Sequence, residues 1–144
     1  MMIKFKKLKD CAQMPTRGSE YAAGYDLYAA TEWNIPIPPH ETVRIGTGLS
    51  MEFPLCSFGA IFARSGIATK QGLRPANCVG VIDCDYRGEI IVPIHNDTDE
   101  IQIIPAGSRI AQLILLPFLE MEFKEVDELN DTERGDGGFW STGT

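Results

Sequence analysis

The chain has 144 residues, 44% apolar and 23% charged, the balance of a soluble globular protein with material for one core. A net charge of −7 argues against a broad nucleic-acid surface, which needs a basic face, but leaves room for a small anion held by local arginines and a divalent metal. No apolar run approaches the ~20 residues of a membrane span. The basic, alternating stretch Met1 to Lys9 reads as strand and not signal peptide, so a cytoplasmic protein with no nucleic-acid and no membrane partner is expected. Cys11, Cys56, Cys78 and Cys84 form no CxxC pair and no zinc spacing, which points to buried free thiols in a reducing compartment. His40 and His95 are the only histidines, poor support for a histidine metal cluster or a Ser-His-Asp triad.

Ile3-Lys4-Phe5-Lys6 alternates with period two and predicts a first strand. Met14 to Ser19 is loop by composition. Ala22 to Ala30 follows, small and aromatic residues around the single carboxylate of Asp26. In strand geometry Tyr25 and Leu27 face one way, Asp26 and Tyr28 the other. On position alone, Asp26 is a turn or strand-end residue with local hydrogen bonds. Ile35-Pro36-Ile37-Pro38-Pro39-His40 excludes helix, because proline removes donors, and fits an edge strand or extended loop. Thr42 to Gly48 and Leu49 to Phe53 alternate, with Val43, Ile45, Leu49, Met51 and Phe53 expected inward.

Ser57 to Ala63 is a short strand ending at Arg64-Ser65-Gly66. Ile67 to Gln71 before Gly72 has the form of one short helix, with Ser65 as N-cap and Gly72 as its stop. Guanidinium, hydroxyl and free backbone N–H groups together suit phosphate oxygens, although such a turn most often binds nothing. Next, the strand Cys78 to Ile82 delivers Asp83 at its end. Asp85-Tyr86-Arg87-Gly88 turns, and Glu89 to Ile94 returns. This reads as a β-hairpin carrying an acid, an aromatic ring and a cation, more chemistry than a turn requires.

Asn96 to Glu100 is a polar turn before Ile101 to Ile104, which Pro105-Ala106-Gly107 ends. Arg109 to Leu116 is apolar except for Gln112. A polar side chain there must find a partner or lose about 1–3 kcal/mol, and neighbouring backbone could supply it. Phe118 to Val126 alternates as a last strand. Many short strands with Gly and Pro punctuation predict an all-β barrel or sandwich. Residues 127–144 change character. A frayed tail is one reading, but Phe139 and Trp140 amid glycines also fit a flexible arm that folds over a ligand.

Ala23-Gly24-Tyr25-Asp26-Leu27, Arg64-Ser65-Gly66, Gly80 to Gly88, Arg109-Ile110-Ala111-Gln112 and Arg134 to Gly143, in this order and spanning nearly the whole chain, resemble the trimeric dUTP diphosphatases (dUTPases). The resemblance implies an all-β, jelly-roll-like barrel with one short helix, a homotrimer with sites at subunit contacts. Residues 1–126 would form the nucleotide-binding domain, and 127–144 an arm closing over the site from a neighbouring subunit. It implies Mg²⁺-assisted hydrolysis of dUTP to dUMP and pyrophosphate, which supplies dUMP and keeps uracil out of DNA. Asp83 would be the general base for water attacking the α-phosphorus, and Tyr86 would pack under the deoxyribose and exclude a 2′-hydroxyl. Asn77 and the backbone from Gly80 through Val81 and Ile82 to Asp83 would read uracil, with backbone near Ile91 completing the contact. Arg64, Ser65, Gly66 and Gln112 would hold phosphates, and Asp26 the magnesium through water. Arg134, Ser141 and Thr142 would close over the γ-phosphate, with Phe139 stacked on uracil.

One departure stands out: the family usually has glycine after the stacking phenylalanine, where this chain has Trp140. The related dCTP deaminases carry a catalytic glutamate where Arg87 stands, which argues against deamination. A dUTP-sensing regulator and a barrel without a small-molecule site are the non-enzymatic alternatives. The second leaves the Arg, Gln and aromatic placements without a purpose.

Overall fold

The computed structural model describes residues 1–138. Among them, short apolar runs cut by Pro and Gly become β1 (Lys4–Lys7), β2 (Thr16–Arg17), β3 (Tyr25–Tyr28), β4 (Ile35–Ile37), β5 (Thr42–Gly46), β6 (Leu49–Glu52) and β7 (Ser57–Phe62). The helix α1 (Ser65–Gln71) follows, then β8 (Leu73–Pro75), β9 (Gly80–Ile82), β10 (Ile91–Asn96), β11 (Gln102–Ile104) and β12 (Arg109–Pro117). The largest sheet has the order β2-β3-β12-β7-β9, and a second has β5-β10-β8. Two-stranded ribbons β1-β6 and β4-β11 complete the all-β fold, with every ladder antiparallel. No helix among the described residues is long and apolar enough to cross a membrane.

Period-two alternation decides which face is buried. Ile45, Leu49, Met51 and Phe53 point inward as expected, Val43 lies at the core's margin, and Leu27, Ile37, Leu73, Ile90 and Ile94 join them in one cluster. Each such side chain contributes about 1.5–3 kcal/mol when fully buried. At the end of β10 a fully buried amide ties the sheets together. Asn96 Nδ2 donates to the carbonyls of Ile37, Pro38 and Glu100, and its Oδ1 accepts from the Thr98 amide and hydroxyl.

Several expectations are corrected. Phe118 to Val126 forms no strand. Alternation alone cannot make one, since a strand needs a ladder partner, and Leu119 and Phe123 are 88% and 90% exposed. The expected loop at 14–19 contains β2, which Arg17 and Thr16 form against β3, and β8 arises from Leu73–Pro75 through pairing with β10. The N-cap of α1 is Arg64, without a side-chain cap bond, so Ser65 is the first helical residue. Gly72 does end the helix, in the left-handed conformation (φ 62°) that glycine adopts at least cost. The four cysteines are free, but none is buried, and Cys56 and Cys78 are exposed.

Candidate active site

The expected hairpin is not a closed ladder. β9 pairs with β7, in the register Gly59↔Ile82 and Ile61↔Gly80, while β10 lies between β5 and β8 in the other sheet. The two arms therefore splay. β9 is the terminal strand of its sheet, so its second backbone edge is open among the described residues. Between the arms lies a cleft of about 320 Å³ bordered by Asn77, Gly80, Val81, Ile82, Ile91 and Pro93. Its size suits a small ligand, and an open strand edge offers alternating N–H and C=O groups to a planar, hydrogen-bonding ring. Glycine at position 80 lets the strands approach, because a Cβ there would stand 3.1 Å from that of Ile61.

The turn beyond β9 is braced from several sides. The Tyr86 amide donates to the Asp83 carbonyl (3.2 Å), and the Tyr86 hydroxyl donates to the Glu89 carbonyl (3.1 Å). The tyrosine lies across Gly88, where no side chain could fit beneath it. Arg87 Nη1 donates to the carbonyls of Cys84 (2.7 Å) and Tyr86 (3.0 Å), and Ser50 Oγ donates to the Arg87 carbonyl (2.8 Å). Glu89 receives the Gly48 amide (2.8 Å) and faces Lys9 Nζ at 3.2 Å. This bracing leaves the Asp83 carboxylate and one side of Tyr86 exposed to solvent.

A second polar group crosses the large sheet. Thr16, Asp26, Gln112 and Phe62 form one row across β2, β3, β12 and β7. Asp26 is no turn residue. It is 8% exposed within β3, and such a carboxylate needs partners. Arg64 Nε donates to its Oδ1 (2.7 Å) and Arg109 Nη1 to its Oδ2 (3.2 Å). Beside it, Gln112 Nε2 donates to the Ala63 carbonyl (2.8 Å), so neighbouring backbone takes up the N–H side of this amide. Gly24 leaves space for the Gln112 side chain, since a Cβ there would meet its Oε1 at 2.5 Å. Ser65 and Gly66 stand exposed just beyond Arg64.

These two groups do not meet within one chain. Because β9 runs antiparallel to β7, Asp83 continues past Ile82 toward Phe58. Arg64 lies six residues from Phe58 in the opposite direction, about 20 Å at strand spacing. Arg134 is exposed, and its Nε donates to the Gly137 carbonyl (2.7 Å) within its own segment. Phe139, Trp140, Ser141 and Thr142 lie outside the described residues. Residue types alone did not single out Arg109. Its one signal is an odd spacing from Gln112, which an uninterrupted strand would place on the opposite face. Elsewhere, hydrogen bonding to the Arg74 guanidinium (2.7 and 3.0 Å) holds the Asp97 carboxyl below its usual range.

A strand edge and cleft for a ring, an exposed acid beside them, and a separate cluster of guanidinium and amide donors make up the chemistry of an all-β nucleotide-handling protein. The dUTPase family model matches residues 10–143. The deoxyuridine 5'-triphosphate nucleotidohydrolase of Desulfitobacterium hafniense is 45% identical over 142 residues, covering 98% of this chain and 94% of that one. A Staphylococcus bacteriophage 80alpha dUTPase mutant with dUpNHpp superposes with a TM-score of 0.88 at 29% identity, covering 99% of each chain. A dUTPase mutant from phage phi11 of S. aureus, described for coordination of a structural Mg(II) ion, has a TM-score of 0.79 at 26% identity and covers 89% of this chain and 98% of that one. The chain belongs to the dUTPase family.

Proposed function

We propose that the protein is a dUTP diphosphatase that hydrolyses dUTP to dUMP and pyrophosphate. The observation that carries this reading is the cleft between the splayed arms of β9 and β10, with Asn77 at its side and the braced Asp83–Tyr86 turn at its end. Uracil enters this cleft and pairs with the open edge of Gly80, Val81 and Ile82 and with Asn77, while backbone near Ile91 closes the far side. Width discriminates against the thymine methyl group. Tyr86 packs beneath the deoxyribose and leaves no room for a 2′-hydroxyl.

Asp83 accepts a proton from water as the water oxygen bonds to the α-phosphorus, and the bond to the bridging oxygen breaks to release pyrophosphate. An ionised carboxylate suits this task once the water is within about 2.6–3.2 Å. Arg64, Ser65, Gly66 and Gln112 bind and orient the phosphates, so positioning and charge stabilisation provide most of the acceleration. Arg134 and the segment bearing Phe139, Ser141 and Thr142, within an arm at 127–144, close over base and γ-phosphate.

Magnesium fits this set through water. Both Asp26 oxygens already accept guanidinium hydrogen bonds, which leaves lone pairs for water. Among the described residues no group of three His, Cys, Asp or Glu could ligate an ion directly. Mg²⁺ characteristically keeps several waters and binds with substrate phosphates, and when bound it neutralises phosphate charge.

The reading includes a homotrimer with shared sites. Asp83 and Arg64 lie about 20 Å apart along β7, too far to serve one triphosphate, so the phosphate donors that meet Asp83 come from another copy. The exposed apolar side chains of Phe118 to Val126 also fit burial against a neighbouring subunit. The test is to incubate the protein with each dNTP and with UTP and to measure pyrophosphate. Release from dUTP alone, abolished in Asp83→Asn with binding retained, is expected. Ammonia from dCTP, or binding without turnover, would overturn the reading.

A further inference from the structure

We propose that Arg109 is a positioning residue: by occupying one oxygen of Asp26 it keeps Arg64 in a pose that leaves the end of its guanidinium free for phosphate. The inference rests on the reading of Arg64 as a phosphate ligand. It begins with the register of β12. Gln112 pairs with Asp26 and Ala111 with Leu27, yet Arg109 pairs with Tyr28. Ile110 is thus an extra residue, a bulge of the kind that re-aims a side chain. Residues 109 and 112 are three apart and would face opposite sides of a regular strand. The bulge puts both on the face of Asp26 and Tyr28, while Ile110 and Ala111 are both buried.

The consequence appears at the carboxylate. Arg64 touches Asp26 through Nε alone, at 2.7 Å from Oδ1, and this is the guanidinium's one hydrogen bond among the described residues. Oδ2 is held by Arg109 Nη1 at 3.2 Å. An arginine facing a carboxylate with both oxygens open favours the two-point fork, the stronger arrangement. With Arg109 absent, Oδ2 becomes available and Arg64 can turn to that fork, committing a second nitrogen to Asp26 instead of phosphate. Arg109 therefore works through Asp26 and Arg64.

A double-mutant cycle on the full-length protein separates this from the alternatives. Arg109→Ala is expected to raise KM for dUTP about tenfold, the scale of one charge-assisted hydrogen bond, with kcat little changed. Arg109→Lys, which keeps a cation on Oδ2, restores most of the affinity. In an Arg64→Ala background, adding Arg109→Ala produces no further loss. Equal losses in both backgrounds would mark Arg109 as a direct phosphate ligand or a purely structural residue and overturn the proposal, as would an unchanged KM in Arg109→Ala or failure of the Lys variant to rescue. Should Arg109→Ala not fold, Arg109→Gln takes its place, with folding checked by circular dichroism melts. A wild-type protein that does not hydrolyse dUTP would refute the proposed activity instead. Calorimetric binding of inorganic tripolyphosphate to the same variants then tests the positioning role, with non-additive losses supporting it and additive losses overturning it.

Discussion

Asn96→Leu removes the hydrogen-bonding hub at the end of β10 while keeping the branched shape of the side chain. Five contacts disappear: three donated to Ile37, Pro38 and Glu100, and two accepted from Thr98. They are not equivalent. The Pro38 carbonyl still accepts from the Glu41 amide and the Glu100 carbonyl from the Thr98 hydroxyl. The Ile37 carbonyl keeps the ladder bond from the Gln102 amide, so the Thr98 amide is the group left without a partner. The carboxamide has hydrogens and lone pairs for four full bonds, and at a net value of about 0.5–1.5 kcal/mol each their loss costs roughly 2–6 kcal/mol. Burial of a leucine side chain returns about 1.5–3 kcal/mol, so the net destabilisation is about 2 kcal/mol. With a urea slope of about 1–3 kcal/mol per molar, the midpoint should fall by ~1 M, measured by circular dichroism at one fixed protein concentration. Asn96 lies five residues along β10 from Ile91, about 17 Å, so KM for dUTP at low temperature should hardly change. A midpoint shift below ~0.2 M would refute the hub reasoning, and a large KM effect would refute the separation of hub from cleft.

Gly88→Ala places a methyl group against the Tyr86 phenol; displacement of the ring should reduce discrimination between dUTP and UTP, read as the ratio of their kcat/KM values, and an unaltered ratio would count against Tyr86 as the sugar-selecting residue. Gly24→Ala pushes on Gln112, whose Oε1 would lie 2.5 Å from the new carbon. It should weaken the bond to Ala63 and raise KM for dUTP several-fold in steady-state assays. The Asp97 carboxyl, held below its ordinary value of 3.8 by the hydrogen bonds and charge of Arg74, contributes stability that is present above that value and is lost as pH falls through the depressed folded pKa. Asp97→Asn should flatten that acid limb of the stability curve. Because both side chains are well exposed, the effect should be small and shrink with added salt, as measured by urea titrations from pH 5 downward.

Strand-level alternation made most of the fold legible. Val43 to Phe53 predicted its own inward residues because period two is a local property of the backbone, and Gly72 announced the end of α1 by its conformational freedom. Phe118 to Val126 shows the limit of that reasoning, since alternation reports which side chains share a face and not whether another strand is present. Ser65 failed as an N-cap for a related reason. Capping ability resides in the side chain, but the position of the first helical residue depends on where β7 releases the chain.

Sequence alone determined the residue types of the site. An acid after an apolar run, a tyrosine at a turn, an arginine-serine-glycine turn and a glutamine within an apolar strand are local excesses of chemistry, and no core position demands them. Tertiary structure decided their relationships. Register made Asp26 and Gln112 neighbours across β3 and β12, and a one-residue bulge brought Arg109 to the same carboxylate. The pairing of β9 with β7 opened the supposed hairpin into a cleft and sent Asp83 away from Arg64. The physical reason is that hydrogen-bond registry between strands distant in sequence depends on how all the apolar faces are buried together, which no single stretch of residues encodes.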